Sequence, residues 1–203
     1  MKRQPAKRGV WKQVPASHRL FFKIQLKAIR PPIWRRFMAP STITLSELHD
    51  VIQIVMGWDN SHMYHFKING LFYDQDGDMA DPADDVVLGD VLSLKNPFLY
   101  EYDFGDSWLH QLVVESVDHV PLKKYSSLEP SLAGRNYYCL DGARACPPED
   151  CGGVYGYYEF YDAVNAPKDQ ERTEPNPWLD EWGYDDFDPE FFDIVKVNSH
   201  LPK

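Results

Sequence analysis

The segment Arg19–Gly57, RLFFKIQLKAIRPPIWRRFMAPSTITLSELHDVIQIVMG, contains the patterns that decide the fold class. In residues 19–29 apolar side chains recur at alternate positions, which predicts a β-strand with one face buried. Pro31-Pro32 interrupts this pattern, and residues 33–39 predict a second strand. Two strands separated by a short Pro-rich turn indicate a β-hairpin.

A helix follows the predicted hairpin. Thr44 and Glu47 have the spacing of a capping box, which marks a helix N-terminus. Gly57 marks its C-terminus, because glycine adopts the left-handed conformation that ends many helices. The apolar stripe that would pack on a core consists of Leu45, Leu48, Ile52 and Val55, widened by Val51 and Met56.

Further strands and helices are predicted downstream. The strands are His62–Ile68, Leu71–Asp74, Phe98–Phe104 and Trp108–Val117, and the helices are Val86–Leu94, Val154–Val164 and a last one from Pro189 to Val195. Asn69-Gly70 predicts a tight hairpin turn with positive φ at the glycine. This order of elements predicts an α+β fold, with a mixed or antiparallel sheet and a helix packed across one face. We expect a β-grasp-like first half and a helical, acidic C-terminal region.

Charge and composition limit the class of protein. The formal net charge is −10, but residues 1–17 carry five basic residues and no acid. We therefore expect a flexible basic tail over 1–17 and a single acidic domain over 18–203, which repels nucleic acid outside the tail. There is no apolar run long enough for a membrane span and no apolar region typical of a secretory signal, so no membrane partner is expected. Three cysteines are too few for a disulfide scaffold and indicate a reducing, cytoplasmic setting.

Two stretches combine polar and aromatic groups as binding sites do. Cys139–Gly153, CLDGARACPPEDCGG, contains all three cysteines, and Tyr100–His110, YEYDFGDSWLH, sets two aspartates and a histidine among aromatic residues. We expect the turn at Asp103–His110 to pack against the loop at Cys146–Gly153, since that loop needs an apolar surface for its thiols. The carboxylates of Glu149 and Asp150 would then need partners, and His110 or an arginine of the pair at 35–36 are the candidates.

The predicted pocket is walled by aromatic residues around these polar groups. Its residues are Trp34, Arg35, Arg36, Trp58, His62, Tyr102, Asp103, Asp106, Trp108, His110, Glu149 and Asp150. Their convergence would allow a divalent cation to bind or acid–base chemistry to occur, whereas the same residues could also serve only as turn caps and ion pairs.

The cysteines allow a second kind of site. Cys139, Cys146 and Cys151, with His110 as a fourth ligand, have donor types suited to zinc, although their C-x6-C-x4-C spacing lacks the usual short Cys pair. The alternative is that the thiols are small buried apolar groups. The acidic loop that opens DQDGD at Asp74 has its glycine misplaced for an EF-hand, so calcium is not expected there.

The chain resembles the plasmid pRiA4b ORF-3-like family over residues 19–198. The motifs that carry the resemblance are PxIWRR at 31–36, YDFGDSWxH at 102–110, CPPEDCGG at 146–153 and DPExFD at 188–193, together with Leu48, His49, Gln53, Gly57, Trp58, His62 and Asn198. Tyr64 departs from the family, where a second histidine often follows His62 at that position, and this weakens a metal site centred on His62.

The resemblance implies an intracellular α+β domain linked by name to mobile genetic elements, including a resolvase. A serine recombinase needs a nucleophilic serine on an N-terminal strand, clustered arginines and a basic DNA-binding domain. Here Ser17 lies in the tail, Ser41 and Ser46 flank a helix start, and the C-terminal half is acidic. We reject a resolvase mechanism on these grounds.

Three hypotheses of function remain open, of which the weakest is a nucleic-acid accessory protein that acts through the basic residues 1–17. The first is a binding or interaction domain whose partner is a small molecule or a protein. The second is a metal-dependent, hydrolase-like enzyme that uses the carboxylate and histidine cluster. No Walker loop, GxGxxG, GxSxG or HExxH motif is present, so the residues do not decide between the first two hypotheses.

Overall fold

The structure is a computed structural model, and it describes residues 18–75, 81–94, 96–166, 183–184 and 186–202. The tail predicted for residues 1–17 lies outside these ranges, as do the middle of the acidic loop and most of the acidic C-terminal stretch.

Within the described residues, eight strands form one sheet. They are β1 (Arg19–Leu26), β2 (Trp34–Pro40), β3 (Tyr64–Ile68), β4 (Leu71–Asp74), β5 (Asp81–Pro82), β6 (Phe98–Tyr102), β7 (Trp108–Val117) and β8 (Tyr138–Ala143). Their order in the sheet is β5-β4-β3-β6-β7-β1-β2-β8. The strands pair in antiparallel fashion except for β4 and the short β5, which are parallel.

The helices are α1 (Leu45–Met56), α2 (Leu88–Val91), α3 (Gly153–Asn165) and α4 (Ile194–His200), with 3-10 helices at Ala83–Asp85 and Lys123–Leu132. Together with the sheet, they confirm the predicted α+β class. In the described part of the chain, no helix has the length and apolar character needed to cross a membrane.

The first half follows the expected order along the chain but not in the sheet. A β-grasp core would place a strand parallel to β1 beside it, whereas β7 pairs with β1 in antiparallel fashion. In this sheet, β6 and β7 lie between β3 and β1. The later hairpin therefore completes the centre of the sheet, and its turn is brought to the same end as the N-terminus of β3.

Helix α1 lies across one face of the sheet, as predicted. Both bonds of the capping box are present, because Thr44 Oγ1 accepts from Glu47 N and Glu47 Oε2 accepts from Thr44 N. The His49 ring stacks on Tyr64 of β3 with ring centroids 3.6 Å apart. Gln53 donates to the Tyr100 hydroxyl of β6 at 2.9 Å, so polar contacts also join α1 to the sheet.

The two faces of the sheet have separate cores. Side chains of β1 and β2 that alternate toward α1, such as Phe22 and Phe37, belong to the main core. Their neighbours Phe21 and Met38 point to the other face and pack under the 3-10 helix, in a smaller core that includes Tyr125, Leu132 and Leu140. The alternating apolar residues of β1 predicted one buried face of the strand, but both of its faces are buried, one in each core.

Several element boundaries differ from the predictions. β3 begins at Tyr64 and not at His62, and α2 covers only Leu88–Val91 of the predicted Val86–Leu94. The first half of the cysteine stretch, expected to be a loop, forms β8, because Tyr138–Ala143 pairs with the open edge of β2. The last helix begins at Ile194 and not at Pro189, because the Asp193 side chain accepts from Lys196 N at 2.9 Å and so caps the helix there. Asp188 instead forms a turn, in which it accepts from the Glu190 and Phe191 N–H groups.

The Asn69-Gly70 turn has the backbone predicted for it, with φ of 52° and 83°. A Cβ at residue 70 would meet no atom within 4 Å, so only the backbone conformation opposes a side chain there. Gly70→Val is therefore expected to lower the free energy of unfolding by about 1–3 kcal/mol. Denaturant unfolding measures this. Gly70→Asn is the matched control, since asparagine tolerates positive φ and should cause a smaller loss. Equal stability of all three proteins would contradict the turn.

Candidate functional site

The turn between β6 and β7 fixes the position of Asp103. Its Oδ1 accepts from Gly105 N at 2.9 Å, and its carbonyl oxygen accepts from Ser107 N at 2.6 Å. Its own N–H donates to Met63 O at 2.9 Å, which ties the turn to the chain just before β3. Asp103 has φ of 55° and is only 6 % exposed. A buried carboxylate on a left-handed backbone indicates that the turn is built around this side chain.

The loop between β8 and α3 is held by contacts with that turn and with Trp58. Pro147 O accepts from Trp58 Nε1 at 3.1 Å, and Gly152 N donates to Asp106 Oδ2 at 3.1 Å. At Gly153, where φ is 67°, a Cβ would lie 2.6 Å from Asp106 O. Glycine is required at this position because the turn backbone packs directly on it.

The predicted contact between the turn and the loop is therefore confirmed. Carboxylate oxygens of Asp103 and Asp150 and a ring nitrogen of His62 all lie within 4.8 Å of one another. Of the three, His62 comes from the segment after α1, Asp103 from the turn and Asp150 from the loop. Only the folding of the chain brings these three segments together.

We call these three residues and Glu149 the His62 cluster. His62 Nδ1 lies 3.8 Å from Asp103 Oδ1, and its Nε2 lies 3.2 Å from Asp150 Oδ1 and 3.9 Å from Glu149 Oε2. The departure at Tyr64 was expected to weaken a site centred on His62. The structure places Asp103 and Asp150 beside His62, so the candidate ligand atoms near His62 do not depend on the residue at position 64.

Two atoms of the cluster that could bind a metal are buried and form no hydrogen bond. These atoms are His62 Nε2 and Glu149 Oε2. Within the described residues, no lysine or arginine forms an ion pair with any of the three carboxylates of the cluster. Buried polar atoms normally have a partner, since leaving one unpaired costs about 1–3 kcal/mol. The cluster therefore contains carboxylate charge that no lysine or arginine neutralises, and Glu149 Oε2 has no hydrogen-bond partner.

Glu149 is held firmly by its other oxygen. Oε1 accepts from Asp59 N at 3.0 Å and from the Tyr102 hydroxyl at 3.1 Å. Burial raises the pKa of the Glu149 carboxyl. Burial also raises the pKa of Tyr102 to about 12, so this phenol stays protonated and donates. Glu149 is thus oriented toward His62 in an environment that opposes its charge.

Four residues of the predicted pocket, Trp34, Arg35, Arg36 and His110, lie away from the His62 cluster. Trp34 and Arg36 point to the opposite face of the sheet, where Arg36 pairs with Glu115 at 2.8 Å and stacks on Trp34 at 4.8 Å. Arg35 donates to backbone carbonyl groups and not to a carboxylate. The proposed pairing of Glu149 or Asp150 with these arginines is therefore wrong, because strand alternation places Arg36 on the other face and backbone carbonyl groups engage Arg35.

His110 is also misassigned as a partner of the carboxylates. It points from β7 into the main core, fully buried, with its ring 5.1 Å from the Trp58 ring and 5.4 Å from the Tyr100 ring. Of the aromatic residues of the predicted pocket, Tyr102 borders the cluster, and Trp58 and Trp108 lie behind it. Tyr102 lies 5.8 Å from His62 between ring centroids, and Trp58 covers Tyr102 and Trp108.

The cysteines do not form the metal site that was considered for them. Among the residues that the structure describes, the grouping of His, Cys, Asp and Glu that could hold a metal consists of His62, Asp103 and Asp150. Cys139, Cys146 and Cys151 are free thiols and do not converge with His110. Burial raises the pKa of Cys139 to about 12 and that of Cys151 to about 12, so both remain protonated. They behave as small apolar groups of the interior.

Asp59 and Asn60 also hold the site in place, and this role was not predicted from the sequence. Asp59 N donates to Glu149, while Asn60 Oδ1 lies 2.5 Å from His49 Nε2 and its N–H donates to Gln53 Oε1. Asn60 has φ of 62°, which turns the chain from α1 toward His62. The polar run Asp59-Asn60-Ser61 directly after the helix was the available signal for a structured turn.

The chain is similar to a known protein family and to a protein of Sinorhizobium fredii. The model of the family described as Plasmid pRiA4b ORF-3-like protein matches residues 18–196. The chain is 32 % identical over 185 residues to the uncharacterized protein y4hQ of Sinorhizobium fredii, which covers 88 % of this chain and 90 % of that protein.

A solved structure also matches. The crystal structure of the protein of unknown function MM3350 from Methanosarcina mazei Go1 superposes with a TM-score of 0.72 at 32 % identity, over 90 % of this chain and 99 % of that one. The sheet and the site described above therefore lie within the part of the chain that these proteins share.

Proposed function

The chain belongs to the plasmid pRiA4b ORF-3-like family, and from that premise we propose that it is a binding domain whose ligand at the His62 cluster is a divalent metal ion. The observation that carries the proposal is the buried Glu149 Oε2, which has no hydrogen-bond partner and lies 3.9 Å from His62 Nε2. A cation bound between these two atoms would supply that partner.

The distances within the cluster suit a metal after a small adjustment. Two ligands bound at about 2.1 Å from an ion lie at most about 4.2 Å apart. The donor atoms of His62, Asp103 and Asp150 lie within 4.8 Å of one another, so closure by a few tenths of an ångström would complete the site. Asp103 is already held by its turn, which leaves the exposed Asp150 to move.

The donor types favour a first-row transition ion over calcium or magnesium. One imidazole nitrogen with carboxylate oxygens suits Zn²⁺, Mn²⁺ or Fe²⁺, whereas Ca²⁺ and Mg²⁺ take oxygen ligands. Bringing three carboxylates together without a lysine or arginine is unfavourable, because like charges repel at short range. A bound cation would relieve this repulsion and stabilise the fold.

Metal binding can be tested with a matched pair of histidine variants. His62→Gln is expected to weaken Zn²⁺ or Mn²⁺ binding on the order of 100-fold or more, as measured by titration calorimetry. His65→Gln is the control, because His65 lies three residues away beside a different carboxylate, Glu101, at 3.3 Å. It should bind like the wild type.

Two further measurements bear on the same proposal. Protein purified without chelator should hold a transition metal in a one-to-one ratio, and EDTA should lower its melting temperature. The proposal is wrong if the purified protein binds no such ion in calorimetry, or if His62→Gln binds as tightly as the wild type.

A metal-dependent enzyme of the hydrolase class is the second candidate. The observation that favours it is the open side of the cluster, where the Asp150 carboxyl group is 63 % exposed and a metal would keep a position for water. Glu149, whose pKa is raised by burial, could then carry a proton. In an enzyme, the protein should hydrolyse chromogenic esters only when the metal is bound, and Glu149→Gln should lose this turnover. In a binding domain, no metal-dependent turnover of these esters should be measurable.

The setting of the protein is part of the same proposal. We place it in the cytoplasm, which agrees with its three free thiols. The plasmid named in the family description supports an association with mobile genetic elements. Its partner would be a small molecule or a protein, and nucleic acid would contact only the basic residues of the tail.

A further inference from the structure

A cleft of about 550 Å³ has Trp58 in its lining and contains no residue of the His62 cluster. Its walls are the C-terminal end of α1, the segment at Ala145-Cys146, and the chain that leads into and along α4. Phe187, Phe191 and Phe192 line it, and Phe191 is 60 % exposed. A volume of this size and an aromatic lining are typical of sites for small organic ligands.

Arg35 gives this cleft a buried positive charge. The residue is 1 % exposed, and its guanidinium donates to Val55 O at 2.8 Å, and to Trp34 O and Ala143 O at 2.9 Å. The contact from Nη2 to Met56 O is long, at 3.5 Å. Carbonyl dipoles satisfy most of its N–H groups but do not neutralise its charge.

No carboxylate among the described residues forms an ion pair with Arg35. Instead, the Phe192 ring covers the guanidinium at 3.9 Å. Burial lowers the pKa of Arg35, which reflects the cost of a buried cation without an anion. An anionic group placed in the cleft would lower that cost.

Helix α4 adds further basic groups at the cleft. Lys196 and His200 are four residues apart, so they lie on the same side of the helix, and both line the cleft. The one acidic group in the lining, Asp193, is engaged in capping Lys196 N. The lining is therefore basic on a chain whose net charge is −10.

We propose that this cleft binds a small organic anion, whose apolar body lies among the phenylalanines and whose acidic group faces Arg35 and Lys196. A free carboxylate and a phosphate monoester share the required chemistry. This site is distinct from the metal proposed at the His62 cluster and does not depend on it.

The test uses three probes with the same ring system: naphthalene-2-carboxylate, 2-naphthyl phosphate and the neutral naphthalene-2-carboxamide. Each is titrated into the full chain by calorimetry in the presence of EDTA, so that the metal site plays no part. We expect at least one anionic probe to bind at least tenfold more tightly than the amide, and the preferred anion identifies the acidic group.

Variants locate the binding site. Lys196→Gln should weaken binding of the anion about fivefold or more and leave binding of the amide unchanged. Phe191→Ala should weaken both, because it removes apolar contact. Lys123→Gln is the matched control, since Lys123 is an exposed lysine on the far 3-10 helix. It should have no effect on any probe.

The proposal is overturned if neither anion binds, if the amide binds as tightly as the anions, or if Lys196→Gln and Lys123→Gln behave alike. Because chelator is present throughout, none of these results bears on the metal. Failure of metal binding in the histidine variants would likewise leave the result for the cleft unchanged.

Discussion

Replacing Gly156 with alanine is expected to lower the free energy of unfolding by about 3 kcal/mol or more. Gly156 lies in the first turn of α3, and a Cβ there would overlap the carbonyl oxygen of Cys151. That oxygen belongs to the backbone, so no side-chain rotation can relieve the overlap. The loop would have to move away from α3.

The direction of this effect is opposite to helix propensity. In an exposed helix, alanine is more favourable than glycine by about 1 kcal/mol. The loop that would move also carries Glu149 and Asp150, so metal affinity at the His62 cluster should fall together with stability. Denaturant unfolding and calorimetry measure the two effects.

Tyr155→Ala is the matched control for Gly156→Ala. Tyr155 is the preceding residue of the same helix and is 75 % exposed. Its replacement should change stability by no more than about 0.5 kcal/mol. If Gly156→Ala unfolds at the same denaturant concentration as the wild type, α3 does not pack on the loop in the way described.

Acid is expected to destabilise the protein through its buried histidines, and His110 has the larger effect. Burial lowers the pKa of His110 to about 3 and that of His49 to about 4. In the unfolded chain a histidine has a pKa of about 6.5. Below about pH 6.5 the unfolded state therefore binds a proton that the folded state does not. Stability is full above this pH and falls as the pH decreases toward the folded pKa, by about 1.4 kcal/mol per pH unit for each group.

His110→Phe isolates this effect. The ring nitrogens of His110 form no hydrogen bond of normal geometry, and their contacts with backbone groups of Tyr100 and Trp108 are weak, so phenylalanine should cost little stability at pH 7. Between pH 7 and pH 4.5 the variant should lose about 3 kcal/mol less stability than the wild type.

Urea unfolding at several pH values measures the difference. The exposed His119 provides the control, since His119→Gln should leave the pH dependence unchanged. Parallel pH profiles for the wild type and His110→Phe would show that His110 does not remain neutral in the folded state.

Much of the local structure could be predicted because it depends on neighbouring residues. The capping box of Thr44 and Glu47 formed as its spacing indicates, and the turn at Asn69-Gly70 has the predicted positive φ. The alternation in residues 19–26 produced β1. These features depend only on the identities of a few neighbouring residues, which can be read directly from the sequence.

The candidate site was predicted in part. The pairing of the two polar stretches was correct, because a loop rich in proline, glycine and thiols needs an apolar surface to pack on. The partners predicted for the Glu149 and Asp150 carboxylates were wrong. His110 and Arg35 lie on strands whose alternation points them into the interior, and their surroundings follow from which strands are neighbours.

The sequence by itself determined the α+β class, the main elements and the residues from which a site could be built. The tertiary structure decided that β6 and β7 insert beside β1, and so placed Asp103 and Asp150 next to His62. It also left Arg35 at a cleft, with no carboxylate of the described residues paired to it. Strand order and ion pairing depend on contacts between distant segments, where many pairings bury similar apolar area. Local pattern does not distinguish between such pairings, and only the packed chain selects one.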